Sequence, residues 1–254
     1  MRFASLGSGS EGNGLVVEKG ATRVLVDCGF GLRETVARIA RLGLLPGDLT
    51  AILVTHEHSD HIGGVPAFAA KYDIPVWATF GTLAVVAERF EGMAHVYGFD
   101  SHDRFAIGAL EIVPIPVPHD AREPVQYVIG DGARRVGILT DLGVSTSHVE
   151  ACLSGCDALV LECNHDLDML ENGSYSWSLK RRIASWLGHL DNGTAAALLS
   201  RLDNSKLMHI FAAHLSQENN SRELAGAELA GALGCAHEWI GIARQDEGFD
   251  WRDL

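Results

Sequence analysis

Apolar runs in the first half of the chain are short, β-branched and cut by turns. Residues 15–18 and 23–27 read as two strands joined by the turn Lys19-Gly20-Ala21-Thr22. Across 32–42 the apolar positions Val36, Ile39, Ala40 and Leu42 have helical spacing. Residues 51–55 form a short buried strand that leads into a polar, histidine-rich loop, followed by a helix over 62–72, a strand over 76–78 and a helix over 82–89. The pattern then turns to strands at 105–107, 110–116, 125–130 and 135–139. Beyond them it predicts a strand at 158–162, helices at 176–187 and 193–202, a strand at 209–213, a helix at 221–233 and a last strand at 239–243. Strands in two batches, each followed by helices, predict an α/β (α+β) arrangement of two packed sheets with helices outside. No repeat, low-complexity tract or Pro/Ser-rich linker divides the chain, so 1–254 is expected to be one domain.

Apolar residues make up 47% and charged residues 21% of the 254, which fits a folded chain with a sizeable core and excludes a disordered or collagenous one. Twenty basic against 33 acidic residues give a net charge of −13. That balance argues against a whole-surface grip on nucleic acid or an anionic membrane, and leaves room for a local basic patch and for metal cations. The densest basic run is Lys180-Arg181-Arg182, with Arg201 and Lys206 downstream. It reads either as a track along a nucleic-acid backbone or as a solvated helix face, with Trp177 and Trp186 beside it expected in the core rather than as base-stacking platforms. Cys28, Cys152, Cys156, Cys163 and Cys235 are too sparse for a disulfide framework and read as free thiols of a reducing compartment. Cys152 and Cys156 would make half a zinc site, but no second pair completes it. The first residues lack the apolar core of a signal peptide, and no apolar run reaches the ~18 residues of a membrane helix. The expected location is cytoplasmic, with no membrane partner.

The strongest chemical signal is Thr55-His56-Glu57-His58-Ser59-Asp60-His61, between a buried strand and a helix. Imidazole and carboxylate are the ligand set of zinc, iron and manganese. In a turn, residues two apart point the same way, so His56 and His58 would grip one ion while Asp60 and His61 project toward a second. The competing structural reading is a solvated loop, or a helix cap made by Asp60.

His56-Glu57-His58-Ser59-Asp60-His61 resembles the H-x-H-x-D-H motif of the metallo-β-lactamase fold superfamily. The resemblance implies a four-layer αββα sandwich with metals at one edge of the two sheets. It extends to Asp27 at a strand end, His119 in Val117-Pro118-His119-Asp120, Asp141 in Leu139-Thr140-Asp141-Leu142-Gly143 and His214 in Ala212-Ala213-His214-Leu215. The implied site holds two divalent ions, zinc or manganese or iron. His56, His58 and His119 take one ion, Asp60, His61 and His214 take the other, and Asp141 bridges. Asp27 would orient a metal-bearing histidine from behind, or simply form the turn beside Gly29. His58 in the second position differs from the H-x-E-x-D-H of the redox flavodiiron branch, which favours hydrolysis over oxygen chemistry. The histidine-asparagine-cysteine zinc set of some β-lactamases is absent.

Three further strings are similar to the YycJ/WalJ-type subfamily, described as nucleases acting on DNA ends from the 5′ side. They are Gly7-Ser8-Gly9-Ser10-Glu11-Gly12-Asn13, Glu162-Cys163-Asn164-His165-Asp166 and His214-Leu215-Ser216-Gln217-Glu218-Asn219-Asn220. The last also resembles the His-Leu-Ser/Thr segment of tRNA 3′-processing endonucleases, although neither a long docking arm nor a CPSF-type cap domain is evident. The implied activity is that of a phosphodiesterase cleaving DNA by attack of metal-bound hydroxide on phosphorus. The alternative is a small-molecule metallohydrolase of the same fold, acting on a cyclic or phosphonate-type diester, a thioester or a lactone. A non-enzymatic metal module would leave the full ligand set superfluous. Ser8, Ser10, Asn13, Asn164 and Ser216 are candidates for substrate phosphate. Besides Asp60, the candidate catalytic groups are His165 and, second to it, His189, which lie outside the ligand set and would protonate the leaving oxygen or hold phosphate.

Overall fold

The computed structural model describes all 254 residues and contains two seven-stranded sheets. In chain order the strands are β1 (Arg2–Gly7), β2 (Gly14–Lys19), β3 (Thr22–Val26), β4 (Ala51–Leu53), β5 (Val76–Thr79), β6 (Val96–Phe99), β7 (Phe105–Ile107), β8 (Leu110–Pro116), β9 (Val125–Gly130), β10 (Arg135–Leu139), β11 (Ala158–Glu162), β12 (His209–Ala213), β13 (Gly241–Ile242) and β14 (Phe249–Asp253). One sheet runs β14-β1-β2-β3-β4-β5-β6 and the other β13-β12-β11-β10-β9-β8-β7. Both follow one plan. Antiparallel strands (β1 to β3; β7 to β10) pass into parallel ones (β3 to β6; β10 to β13).

Strands such as β3 and β11 are buried on both faces, which is why they read as unbroken apolar runs. The expected turn between β2 and β3 forms at Gly20, whose φ of +60° is the left-handed conformation glycine adopts without strain. The core between the sheets includes Val17, Val24, Leu53, Ile112, Ile129, Ile138 and Val160. Phe249 of β14 stacks on Phe211 of β12 with centroids 3.7 Å apart, and Phe3 meets both edge-on. The buried Tyr127 hydroxyl donates to Val54 O across the sheets at 2.7 Å. Helices Leu32–Arg41 and Val65–Tyr72 cover the first sheet; Ser147–Leu153, Asn192–Arg201 and Arg222–Leu233 cover the second. The result is the αββα order expected from the motif.

Most expected strands fall on β2 to β5 and β7 to β12. Unanticipated are β1, β6, β14 and the helices Ser147–Leu153 and Leu167–Asn172. In β14, only Phe249 is buried and charged residues alternate with apolar ones, so it lacks the apolar run of an interior strand. The helix expected over 176–187 spans Trp177–Ile183. Beyond it the chain folds back, with Gly188 N donating to Ser185 O and His189 N to Ile183 O. A Cβ at Gly188 would stand 2.1 Å from Ile183 O, so only glycine allows the turn. The strand expected over 239–243 shrinks to β13 after a 3₁₀ turn, His237–Trp239.

One expectation is overturned: Trp177 and Trp186 are not core residues but are 71% and 73% exposed. Each lies on the outer surface of the 176–189 excursion rather than against a sheet. All five cysteines are free, and none joins a cluster of metal-ligating side chains. No helix is long and apolar enough to cross a membrane.

Candidate metal centre

The carboxyl ends of the parallel strands in both sheets converge on one rim, where open α/β sheets place their ligands. Asp27 follows β3, the histidine motif follows β4, Asp141 follows β10, Glu162 ends β11 and His214 follows β12. His58 opens the short helix Ser59–Ile62, whose buried Ile62 pins it to the core. Neighbouring loops fix the motif backbone: Asn13 N donates to Asp60 O at 2.7 Å and Cys28 N to His61 O at 2.8 Å. That approach requires Gly29, where a Cβ would stand 1.8 Å from Asp60 O.

Four sets of donor atoms cluster here: His56, His58 and His119; His56, His61 and Asp141; Asp60, His61 and His214; and Asp141, Glu162, His189 and His214. All seven residues expected as ligands are therefore brought together. Two donors about 2.0–2.1 Å from one tetrahedral ion lie roughly 3.3–3.4 Å apart. Nδ1 of His58 lies 3.3 Å from Nε2 of His119. Asp60 Oδ2 lies 3.2 Å from Nε2 of both His61 and His214. Asp141 spans the clusters, with Oδ2 2.9 Å from His61 Nε2 and Oδ1 3.8 Å from His119 Nε2 and 3.5 Å from His214 Nδ1. Nε2 of His56 is buried without a hydrogen-bond partner. Orphaned polar atoms at this depth are costly unless a cation engages them. The donor set thus fits divalent metal.

The groups behind the donors fix their orientation. Asp27 is buried, with Oδ1 accepting Thr55 N–H at 2.8 Å and Oδ2 accepting from the Thr55 hydroxyl at 2.8 Å and facing His61 Nδ1 at 2.7 Å. This directs His61 Nε2 toward Asp60 and Asp141. His119 Nδ1 donates to Gly188 O at 3.0 Å, which aims its Nε2 the same way. Asp27 and His214 hold φ of +60° and +54°, a conformation most side chains avoid and that surrounding contacts sustain at functional sites.

The electrostatics point to cation binding. Burial, with His61 adding to it, drives His56 well below the ordinary histidine pKa, leaving a neutral imidazole. Burial also opposes charge on His61, yet Asp141, Asp60 and Asp27 raise it well above that value. His214 is likewise raised, to about 10, by Asp141, Asp60 and Glu162 against its burial. Burial alone would raise Asp141; His214 and His61 instead carry it well below the carboxylate range. Protons on histidine offset buried carboxylates, and a divalent ion would replace them.

Other expected residues divide between structural and cavity positions. The Ser8 hydroxyl donates to Asn13 Oδ1 and accepts His214 N–H, while Asn13 Nδ2 donates to Gly9 O and lies 3.3 Å from Asp60 Oδ2. Both are buried and support the ligands. Asn164 Nδ2 donates to His214 O, and Ser216 Oγ accepts Asn219 N–H. Ser10 is exposed and lines a cavity of about 380 Å³ that opens over Asp60, Asp141 and His214. His189 lines that cavity; His165 is 1% exposed and does not. Glu162, which had no assigned role, is fully buried against the Nδ1 of His189 at 2.7 Å. Only its place in the Glu162-Cys163-Asn164-His165-Asp166 string signalled it.

A family model described as a beta-lactamase superfamily domain matches residues 22–210. The chain is 37% identical over 242 residues to the exodeoxyribonuclease YycJ of Bacillus anthracis, covering 92% of this chain and 89% of that protein. It is 34% identical over 247 residues to the exodeoxyribonuclease WalJ of Streptococcus pneumoniae, covering 95% and 91%. The metallo-beta-lactamase fold protein YhfI of Bacillus subtilis superposes with a TM-score of 0.77 at 16% identity, over 99% of each chain, which shows a shared fold. With its HxHxDH donors at the rim of an αββα sandwich, the chain belongs to the metallo-β-lactamase superfamily and, within it, to the YycJ/WalJ family.

Proposed function

We propose that this protein is a two-ion phosphodiesterase that degrades DNA from its ends in the 5′ to 3′ direction, built as one domain over 1–254. The observation that carries the reading is the meeting of donor clusters at His61 and Asp141 beside an open cavity. His56, His58 and His119 would hold one ion and Asp60, His61 and His214 the other, with Asp141 shared. Zinc, manganese and iron all suit this donor set. When bound, such ions polarise a phosphoryl group and lower the pKa of water. The exodeoxyribonuclease names of the two relatives support DNA as the substrate. The five free thiols support a cytoplasmic setting.

The chain itself supplies the proton for the leaving oxygen. His189 directs Nδ1 to Glu162, so its Nε2 carries the transferable proton. Burial opposes charge on His189, but Glu162 and Asp141 raise its pKa above the ordinary value, which favours the protonated form. His165, buried and bridging to the backbone of Asp191, supports the loop that carries His189. Ser10 is the serine placed to meet substrate from the glycine-rich string.

The test is degradation of end-labelled DNA and RNA by purified protein loaded with each metal. Metal-dependent release of short products from the 5′-labelled end of DNA, abolished by chelator, is the expected result. DNA left intact with every metal, alongside hydrolysis of a small ester or cyclic diester, would transfer the reading to a small-molecule hydrolase.

A further inference from the structure

The cavity over the donor clusters is lined by the carboxylates of Asp60, Asp120 and Asp141, yet a polyanion has to enter it on the reading above. Arg182 is the only lysine or arginine in its wall. It projects from the helix Trp177–Ile183, whose Leu179 and Ile183 form the same wall. The neighbouring cations are engaged elsewhere. Lys180 Nζ donates to the carbonyls of Glu171 and Gly173 at 2.8 and 2.7 Å. The Arg181 guanidinium lies 4.6 Å over the ring of Trp177, one turn away on the face of the helix opposite the cavity.

Arg182 is held by one edge. Its Nε donates to Asp120 Oδ2 at 2.6 Å, and its Nη1 and Nη2 make no hydrogen bond to the protein. These free N–H groups form the fork that engages phosphate bidentately. Asp120 ties this fork to the donors. Its carbonyl faces His58 Nε2 at 3.2 Å, its N–H donates to Leu187 O, and Oδ1 lies 3.5 Å from His119 Nε2. Asp120 therefore stands between Arg182 and the clusters. A phosphate on the free side of the guanidinium would sit in the same cavity that Asp60, Asp141 and His214 line.

We infer that Arg182, positioned by Asp120, binds the phosphate next to the scissile one and so sets the register of the polynucleotide against the metal ligands. This rests on the phosphodiesterase reading and adds a specificity residue to it. An added lysine or arginine could not replace Arg182 from elsewhere on the surface, because the register comes from Asp120.

The experiment compares wild type, Arg182→Ala, Arg182→Lys and Arg181→Ala. Substrates are a DNA oligonucleotide and bis(p-nitrophenyl) phosphate, a diester with no neighbouring phosphate. Metal content and thermal stability are measured for each variant. Loss of a charge-assisted contact to phosphate is expected to raise the KM for DNA by about 10-fold or more in Arg182→Ala. The preference for DNA over the small diester should fall by a similar factor, with partial recovery in Arg182→Lys and none of this in Arg181→Ala. Equal DNA preference in Arg182→Ala and Arg181→Ala, at equal metal content, overturns the assignment. If wild type cleaves neither substrate with any metal, the phosphodiesterase reading falls, and this inference with it.

Discussion

Glu162 holds His189 at 2.7 Å through one carboxylate oxygen, while the other accepts the backbone N–H groups of Leu142 and Leu190 at 2.8 and 3.2 Å. A fully buried carboxylate with this set of partners fixes the tautomer of the histidine it faces. Glu162→Gln should therefore lower kcat about 10–100-fold with metal content preserved. Loss of a metal equivalent in this variant would make Glu162 a ligand.

His189→Ala should retain metal and lower the rate by about 10²-fold, the usual scale for a lost general acid. His165→Ala should cost less, because His165 is buried away from the cavity. Single-turnover rates with metal analysis on the same samples separate the two. A larger loss for His165→Ala would return the acid role to the residue that the sequence alone favours.

Asp27 combines a strained backbone with a hydrogen bond to His61, and the two can be tested apart. Asn tolerates the left-handed conformation, so Asp27→Asn should leave stability nearly intact and weaken metal binding about 10–100-fold. Asp27→Ala loses the hydrogen bonds as well and should destabilise the apoprotein by about 1–3 kcal/mol. Equal metal affinity for wild type and Asp27→Asn would reduce Asp27 to a turn former.

The sequence made the donor set legible because four of its members share one short loop, and strand ends could be found for Asp27, His119, Asp141 and His214. Glu162 was not legible as an orienting group: a single carboxylate ending an apolar strand has no periodic signature. Trp177 and Trp186 were misplaced because the helix expected over 176–187 stops at Ile183, which leaves Trp186 in the return turn and both rings exposed. β14 escaped because it joins the far end of the chain to β1, a long-range pairing invisible to local pattern.

Away from the site, Asp131 anchors the turn between β9 and β10. It accepts N–H groups of Ala133 and Arg134 and pairs with Lys19 at 2.6 Å. Burial opposes its charge, but Lys19 and the turn N–H groups hold its pKa below the carboxylate range. Its contribution is present above the unfolded pKa of about 3.9 and fades as pH falls through the lower folded value. Asp131→Asn should cost about 1 kcal/mol at pH 7, with the gap from wild type narrowing below about pH 4 in denaturant titrations. A gap that is constant from pH 7 to pH 3 would contradict this.

On the two-ion proposal, a shared carboxylate would make Asp141 the residue on which both ions depend. Asp141→Ala should therefore lose more bound metal than His119→Ala, which removes a donor from one cluster. Full metal occupancy and wild-type rate in Asp141→Ala would remove its bridging role.

The most direct test is the number of divalent ions bound per chain, counted by native mass spectrometry on wild type under saturating metal. The proposed division of seven donors between two ions, with Asp141 shared, predicts two ions per chain. At most one ion per chain at saturation would contradict the two-ion account.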